Sequence, residues 1–362
     1  MPTSTLYAST RAALASRLLT VRTSQLDTLA LVLVGITQSV SAQLGAIARA
    51  MPLDTTHYAK EQRLRRLLDN ERITQADHYQ PIAKAALTGL KRQRVNLLSA
   101  RVLLRDHHNI LVVSIGFRRR SIPLAWTALD HRGASGLADQ QALLTQALGL
   151  LPEGVRVTVH GASEFRNQAL FHWLRAQGHD VILGVTGGTT VYRCQDAAAP
   201  GLSLLACVGT SRGVVYLPQV YLTQERHGPV NVVAWWDKDD EGKPLVRGVM
   251  TNLPATRRTY RWGKRRMWIE TVFRDWQSGG FHLDRSGISA RNRLERLLLP
   301  LVIAYLWLVS LGRWVVKRGY RPLIDDGTAR AWHYSLFQLG VGWKERLHSY
   351  TQELPVLLYL YM

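Results

Sequence analysis

The order of apolar segments between residues 95 and 186 constrains the fold more strongly than any other feature of this sequence. Three segments with strand-like alternation occur at residues 95–104, 110–117 and 122–129. A helical pattern at 137–150 precedes a fourth strand-like segment at 155–159, and a second helical pattern at 167–177 precedes the apolar run at 180–185. Three consecutive strands followed by helix, strand, helix and strand predict an α/β fold with one mixed sheet flanked by helices.

This order of elements is that of a ribonuclease H-like sheet, and the remaining sequence divides around it. The first 90 residues are helical in pattern, and their basic segment RLRRLLDN favours a DNA-binding role, although a plain helical cap fits nearly as well. Gly and Pro residues punctuate a β-rich stretch that includes LSLLACVG. We therefore predict a helical N-terminal DNA-binding region (1–90), the first part of the ribonuclease H-like catalytic core (91–188), a β-rich insertion domain (189–253), the end of the core with a glutamate-bearing helix (254–316) and a helical C-terminal region that offers a dimer contact (317–362).

The charge of the chain favours a polyanionic partner. Across 362 residues, 46 Lys and Arg against 26 Asp and Glu give a formal net charge of +20 and a pI near 10.5. Such an excess is typical of proteins that bind nucleic acid, and a basic protein of ribosomes or membranes is the alternative. The two cysteines, Cys194 and Cys207, have no metal-binding spacing, which fits a reducing compartment and argues against a structural zinc site.

The apolar segments are too short to predict a membrane span. The N-terminal residues carry no secretory signal pattern. Residues 297–311 fall short of the roughly 20 residues that a transmembrane helix needs, and they include Pro300. We expect a buried helix there, no membrane partner, and a cytoplasmic, nucleoid-associated protein.

A loop of the kind that often carries chemistry holds a methyl group in this sequence. In VTVHGASEF, residues 157–165, strand-like alternation ends at His160 and Gly161. In α/β proteins the loop after a buried strand often presents a catalytic side chain. Here that position is Ala162.

The densest group of charged and aromatic residues is RRMWIETVFRDWQSGGFHL, residues 265–283. On a helix, residues spaced by three and four share one broad face. The residues with this spacing are Arg266, Glu270, Phe273, Arg274 and Gln277. A single acid flanked by arginines suits a face that meets an anion or a metal, and an ordinary surface ion-pair helix is the alternative.

This segment resembles the signature helix of DDE transposases of the insertion-sequence-four family, in which tyrosine, arginine, glutamate and lysine recur at fixed spacing. Arg266 and Glu270 match the arginine and the glutamate, whereas Gly263 and Gln277 stand at the tyrosine and lysine positions. The resemblance extends over nearly the whole chain: RRRSIPLAWTALDHRG is similar to the family's third strand, VHGASEF to its second acidic loop, and TNL to the entry of its last catalytic segment.

The resemblance implies where the metal ligands of the family belong in this chain. In the family, two aspartates and one glutamate hold two divalent ions, Mg²⁺ or Mn²⁺, for in-line phosphoryl transfer. The second aspartate position is Ala162, and the first, inside the first strand, is Ala100, with Asp106 in the following turn as a rival. Glu270 is then the one family acid present, which predicts a metal site with one ligand of three.

Two histories would leave alanine at both aspartate positions. A copy of the enzyme could have decayed by drift, or both aspartates could have been replaced deliberately. The surrounding family text is intact, which favours deliberate replacement. In either case we expect the chain to bind DNA without cutting it.

The resemblance also implies the contacts with DNA. Relatives use a tryptophan of the insertion domain and the signature arginine to hold a flipped base, and stacking on an indole suits that role. Arginine and lysine clusters are the expected phosphate contacts. The candidates are Arg266, Gln277, Arg274, Trp235, Trp236, Trp262, Arg118, Arg119, Arg120, Lys264 and Arg265, and the expected phosphate contacts also include Arg257, Arg258 and Arg261, with a solvated basic face as the alternative.

The function that the resemblance implies is that of a cut-and-paste DNA transposase. Such an enzyme binds double-stranded DNA at terminal inverted repeats and at a target, and we expect a homodimer in the DNA complex. A domesticated DNA-binding protein without chemistry is one alternative. A ribonuclease H-like nuclease that uses Asp106, Asp130 and Glu164 is another.

Overall fold

A ten-stranded sheet forms the centre of the computed structural model of this chain, in the order β3-β2-β1-β4-β5-β10-β9-β8-β6-β7. The structure describes residues 3–90, 93–105, 108–196, 198–210, 213–239, 241–328, 332–349 and 354–358. The strands are β1 (Arg94–Leu104), β2 (His108–Phe117), β3 (Arg120–Leu129), β4 (Arg156–Gly161), β5 (Asp180–Thr186), β6 (Thr190–Tyr192), β7 (Leu202–Ser203), β8 (Val214–Leu222), β9 (His227–Lys238) and β10 (Pro244–Thr251).

Strands β1 to β5 have the topology that the sequence predicts. Strand β2 pairs antiparallel with β1 and with β3. Strand β4 then runs parallel to β1, and β5 runs parallel to β4. This mixed α/β arrangement is consistent with a ribonuclease H-like transposase fold.

Thirteen helices of α type surround the sheet in the described residues. They are α1 (Thr3–Ala15), α2 (Thr23–Ser39), α3 (Leu44–Ala50), α4 (His57–Asp69), α5 (Gln75–His78), α6 (Gln80–Leu87), α7 (Leu137–Leu148), α8 (Gln168–Ala176), α9 (Leu204–Val208), α10 (Arg257–Gly263), α11 (Trp268–Trp276), α12 (Arg291–Lys317) and α13 (Leu336–Ser349). Helix α7 packs on β2 and β3, α8 packs on β5, and α11 crosses β1, β2 and β3.

The β-rich residues 189–253 continue the core sheet. Strand β10 pairs antiparallel with β5 on one side and with β9 on the other, so hydrogen bonding runs unbroken from β3 to β7. The prediction of a strand for LSLLACVG was wrong, because most of it forms α9. The hydroxyl of Ser203 accepts a hydrogen bond from the N–H of Ala206 and caps this helix, and Leu204 and Val208, four residues apart, are both buried.

Helix α12 is the central helix of the α-helical part. It packs against β3, α2, α4 and α13, and residues 297–311 are buried within it, as predicted. Two glycines allow close approach to α13, since a Cβ at Gly312 would lie 1.8 Å from the carbonyl oxygen of Leu336 and one at Gly340 would lie 1.9 Å from that of Leu308. Within the described ranges, α12 is the one single helix long and apolar enough to cross a membrane, and 89% of its apolar window is buried; α2 and α3 pass the same test only as a pair bent by 102°.

The segment around Glu270, which the sequence predicts as one helix, is divided in the structure. Helix α10 leads into a 3-10 turn (Lys264–Met267), α11 ends at Trp276, and turns with a short 3-10 helix (Leu283–Arg285) connect it to α12. The chain turns sharply after α11, and this turn requires a glycine at position 280, since a Cβ there would lie 2.4 Å from the carbonyl oxygen of Asp275. Arg266 therefore lies in the 3-10 turn, while Glu270 lies in the first turn of α11.

Candidate active site and nucleic-acid interface

The two alanines at the predicted aspartate positions lie on neighbouring strands. In the parallel register of β1 and β4, Ser99 pairs with Gly161, each of which directly precedes one of the alanines. The N–H of Ala162 donates a hydrogen bond of 3.2 Å to the carbonyl oxygen of Ser99. Parallel strands bring their carboxyl ends to one edge of a sheet, and this places Ala100 and Ala162 side by side.

Ala100 faces the helix that carries the glutamate. Its side chain is 2% exposed, and strand alternation places it on the same face of β1 as Asn96. The amide oxygen of Asn96 accepts a hydrogen bond of 3.3 Å from Arg265, in the turn before α11. A Cβ on Gly116 of β2 would lie 3.1 Å from Trp268 of α11 and 3.5 Å from the Cβ of Asn96. This face of the sheet is therefore covered by α11 and the turn before it.

Glu270 is held by the arginine one helical turn before it. Nη1 of Arg266 donates a hydrogen bond of 2.8 Å to Oε1 of Glu270. The side chains keep 19% and 39% of their surface exposed, respectively. Charge-assisted hydrogen bonds of this length orient both groups, so the arginine fixes the direction of the carboxylate.

The residues present do not fit a divalent metal ion. Hard cations such as Mg²⁺ take six oxygen ligands, of which the protein supplies one or two carboxylates, and the alanine methyl groups offer none. Among the described residues, no group of three His, Cys, Asp or Glu side chains could hold a metal ion. The rival acid, Asp106, lies outside the described residues.

The two other acids considered for a nuclease do not join Glu270. Oε2 of Glu164 accepts a hydrogen bond of 2.8 Å from Arg101, whose side chain alternates to the face of β1 opposite Ala100. Asp130 is 79% exposed beyond the end of β3, 3.8 Å from Arg291. These placements disperse the acids and disfavour a nuclease site built from them.

A cavity of about 590 Å³ opens beside Ala162. It is bounded by β5, β9, β10 and the 3-10 turn before α11. Its wall includes Ala162, Trp235, Trp236, Lys264 and Arg266. The tertiary structure thus brings a predicted aspartate position, the signature arginine and the tryptophan pair of the insertion to one concave surface.

The three candidate stacking tryptophans differ in accessibility. Trp235 is 4% exposed and meets Tyr260 edge-on at 5.2 Å. Trp262 is 8% exposed and packs with Trp235 in a small apolar cluster behind the cavity. Trp236 is half-buried, and its indole N–H donates to the carbonyl oxygen of Gly209 at 3.0 Å. Of the three, Trp236 offers the most open ring face.

The arginines of the β2–β3 turn divide into two kinds. Arg118 and Arg119 are exposed at the tip with left-handed backbone angles. Arg120 instead makes a buried ion pair with Asp275 of α11, which also accepts a hydrogen bond of 3.3 Å from Tyr305 of α12. Burial raises the pKa of Asp275 to about 6 although Arg120 lowers it. Arg120 therefore ties β3 to α11, and the first two arginines are the ones open to a phosphate.

The remaining cationic and polar candidates surround α11. Arg274 is exposed in its last turn, and Gln277 follows as its C-cap residue. Lys264 lies 4.8 Å above the ring of Tyr260. The guanidinium of Arg265 lies 5.5 Å from the ring centroid of Trp262 and 5.6 Å from that of Trp268. Lys264, Arg265 and Arg274 thus lie in or next to α11 and the 3-10 turn before it, and their role as phosphate contacts stays a prediction.

Sequence reasoning missed a buried polar pair beneath this face. Nε2 of His160 lies 3.0 Å from the amide oxygen of Asn96, which accepts from Arg265 as well. Burial, together with Arg265 and Arg266, lowers the pKa of His160 to about 3, so the ring is neutral. The available sign was a polar side chain at a buried position in each of two strands, Asn96 in β1 and His160 in β4.

Comparison with known proteins fits this geometry. Residues 136–307 match the family model of the transposase DDE domain. The match supports a DDE-type transposase, a class that acts on DNA and generally uses divalent metals. No curated protein matches the chain.

The DDE-domain match, residues 136–307, covers the part of the candidate site that lies after β3 in the sequence. It includes Ala162, the strands that form the cavity, the 3-10 turn with Arg266 and the helix with Glu270. It begins after β3, so Ala100 lies outside the matched residues.

Proposed function

We propose that this chain is a cut-and-paste DNA transposase of the insertion-sequence-four family whose metal site has been lost. The observation that carries the proposal is the juxtaposition of Ala100 and Ala162 on parallel neighbours β1 and β4, beside the helix that holds Glu270. Two carboxylates at these places would complete a three-acid site. Without them, the chain binds DNA and does not cleave it.

The DNA partners are the terminal inverted repeats of the element and its target. A net charge of +20 favours binding to the phosphate backbone. The cavity beside Ala162 takes an extruded base, with Trp236 as its stacking surface and Arg266 next to the reacting strand. The protein acts in the cytoplasm on nucleoid DNA, as a homodimer in the DNA complex.

A retired transposase that serves as a DNA-binding protein is the second candidate. It is favoured by the same observation, that the described residues contain no group of three His, Cys, Asp or Glu side chains that could hold a metal ion. The two candidates differ in whether the protein cleaves DNA once aspartates are placed at positions 100 and 162.

The test restores both acids. We expect Ala100→Asp with Ala162→Asp to nick a duplex that contains the element's end in Mg²⁺ or Mn²⁺, and neither single change to suffice, because each ion needs several oxygen ligands. Glu270→Gln in the restored protein is expected to abolish nicking and leave DNA binding nearly unchanged.

The restored protein also discriminates between the candidates. A double variant that binds the end but stays inert supports the retired DNA-binding protein. Cleavage by the unaltered chain would show that the loss of the metal site has been misjudged.

A further inference from the structure

Three guanidinium groups surround one tryptophan at the far end of the face that carries the candidate site. Arg94, Arg258 and Arg265 lie 5.0, 4.6 and 5.5 Å from the ring centroid of Trp262. They come from the start of β1, from α10 and from the turn before α11. Separate elements thus converge on one indole, and we call these three arginines the arginine cage.

The positive charge of the arginine cage is only partly neutralised by nearby carboxylates. Arg94 forms an ion pair with Asp180. In the part of the chain that the structure describes, neither Arg258 nor Arg265 has a carboxylate within ion-pair distance. Burial and the charge of Arg258 lower the pKa of Arg265, which is the expected result of crowding like charges. An indole face attracts cations but does not neutralise them.

The cage is accessible and its central arginine is held in position. Arg258 is exposed, and the side chain of Arg94 keeps 32% of its surface open. Arg265 is fixed by the amide oxygen of Asn96, which also accepts a hydrogen bond from His160. Preorganised guanidiniums that face solvent match the oxygen atoms of a phosphate group.

We propose that the arginine cage around Trp262 is a phosphodiester-binding site for the DNA backbone, remote from the site of cleavage. This inference rests on the proposed DNA-binding function and adds a contact to it. Arg94 precedes Ala100 by six residues on β1, which corresponds to about 20 Å at the rise of a β-strand. At about 3.4 Å for each base pair, the phosphate lies about six base pairs from the reacting bond when the duplex runs along β1.

The experiment combines one protein change with single neutral phosphates in the DNA. A series of end-containing duplexes carries one methylphosphonate each, and affinity is measured for the unaltered protein, for Arg258→Ala and for Arg257→Ala. Arg257 is the matched control, since it is exposed, adjacent and equally charged but is not over the indole. We expect Arg258→Ala to weaken binding about tenfold and to reduce the salt slope by about 0.9.

The position of the neutral phosphate then identifies the contact. One methylphosphonate about six base pairs from the cleavage position is expected to weaken DNA binding by the unaltered protein and by Arg257→Ala. Binding by Arg258→Ala is expected to be unaffected by it. Arg258→Ala is also expected to keep its thermal midpoint, because it removes a like charge from the cage. Equal losses for both variants at every position overturn the inference while the proposed function stands.

Two further outcomes have separate meanings. An unaltered protein that binds no DNA overturns the proposed function itself. A flat methylphosphonate series, with inorganic phosphate raising the thermal midpoint of the unaltered protein but not of Arg258→Ala, would assign the cage to free phosphate and overturn the DNA contact.

Discussion

At the scale of single residues, the capacity for DNA cleavage depends on the side chains that neighbour Glu270. Its carboxylate is oriented by Arg266 at 2.8 Å, and Ala100 and Ala162, the positions at which the proposed function places two partner acids, lie side by side on neighbouring strands. An arginine is a poor substitute for a metal ion in chemistry but a good partner for phosphate. The residues present therefore suit holding a DNA strand more than breaking it.

The first prediction at this scale concerns Arg266. We expect Arg266→Ala to reduce affinity for the element's end about tenfold while affinity for random duplex falls much less, because its proposed partner is the base or phosphate beside the scissile bond. Competition binding with specific and random duplexes measures both. Equal losses on the two DNAs would reduce Arg266 to a general backbone contact.

At the scale of elements, α11 is positioned by a buried polar link. Asp275 in its last turn binds Arg120 of β3 and Tyr305 of α12, and all three side chains are largely or fully buried. This link joins the helix of Glu270 to the sheet and to the central helix. The orientation of the acid therefore depends on a carboxylate that takes no part in chemistry.

The buried carboxylate predicts a pH-dependent stability. The pKa of Asp275 is raised to about 6 in the folded protein, against about 3.9 for an unfolded aspartate. Between these values the folded state holds a proton that the unfolded state has released, so the stabilisation present below the unfolded pKa is lost as the pH rises through the folded one. From pH 4 to 7 we expect the protein to lose about 2 kcal/mol of unfolding free energy relative to Asp275→Asn.

Urea unfolding of the two proteins at a series of pH values measures this difference. Parallel curves for the two proteins would mean that Asp275 is ionised in the folded state throughout this range and that Arg120 outweighs burial.

At the scale of the whole molecule, charge and concavity lie on one face. The arginine cage, the turn before α11 and the cavity beside Ala162 follow each other along the sheet. With a formal net charge of +20, the chain has more basic side chains than acidic side chains to pair with them. Basic side chains at the arginine cage, in the turn before α11 and in the cavity wall suit a duplex that contacts several phosphates.

The salt dependence of DNA binding tests this surface as a unit. With about six phosphates neutralised, the logarithm of the affinity is expected to fall with the logarithm of the salt concentration at a slope of about −5. Titrations between 50 and 200 mM salt measure the slope. Binding that is insensitive to salt would contradict the assignment of this face to DNA.

The topology of the core sheet could be predicted from local sequence patterns. Periods of two and of 3.6 residues depend on local geometry alone, and they predicted β1 to β5, α7, α8 and the buried middle of α12. The motif spacing predicts site roles for Ala162, Arg266 and Glu270, and these roles stay predictions. The same local reasoning failed for residues 204–208, where Ser203 caps a short helix in an otherwise β-rich region.

Only the tertiary structure decided which side chains meet. Strand pairing brought Ala100 beside Ala162 and sent Glu164 to the other face, and the crossing of α11 over the sheet engaged Arg120 in a buried ion pair. The cage around Trp262 joins residues as far apart as 94 and 265, so no local pattern could predict it. Periodicity specifies which face of an element is buried, whereas the contacts between faces depend on how distant elements pack.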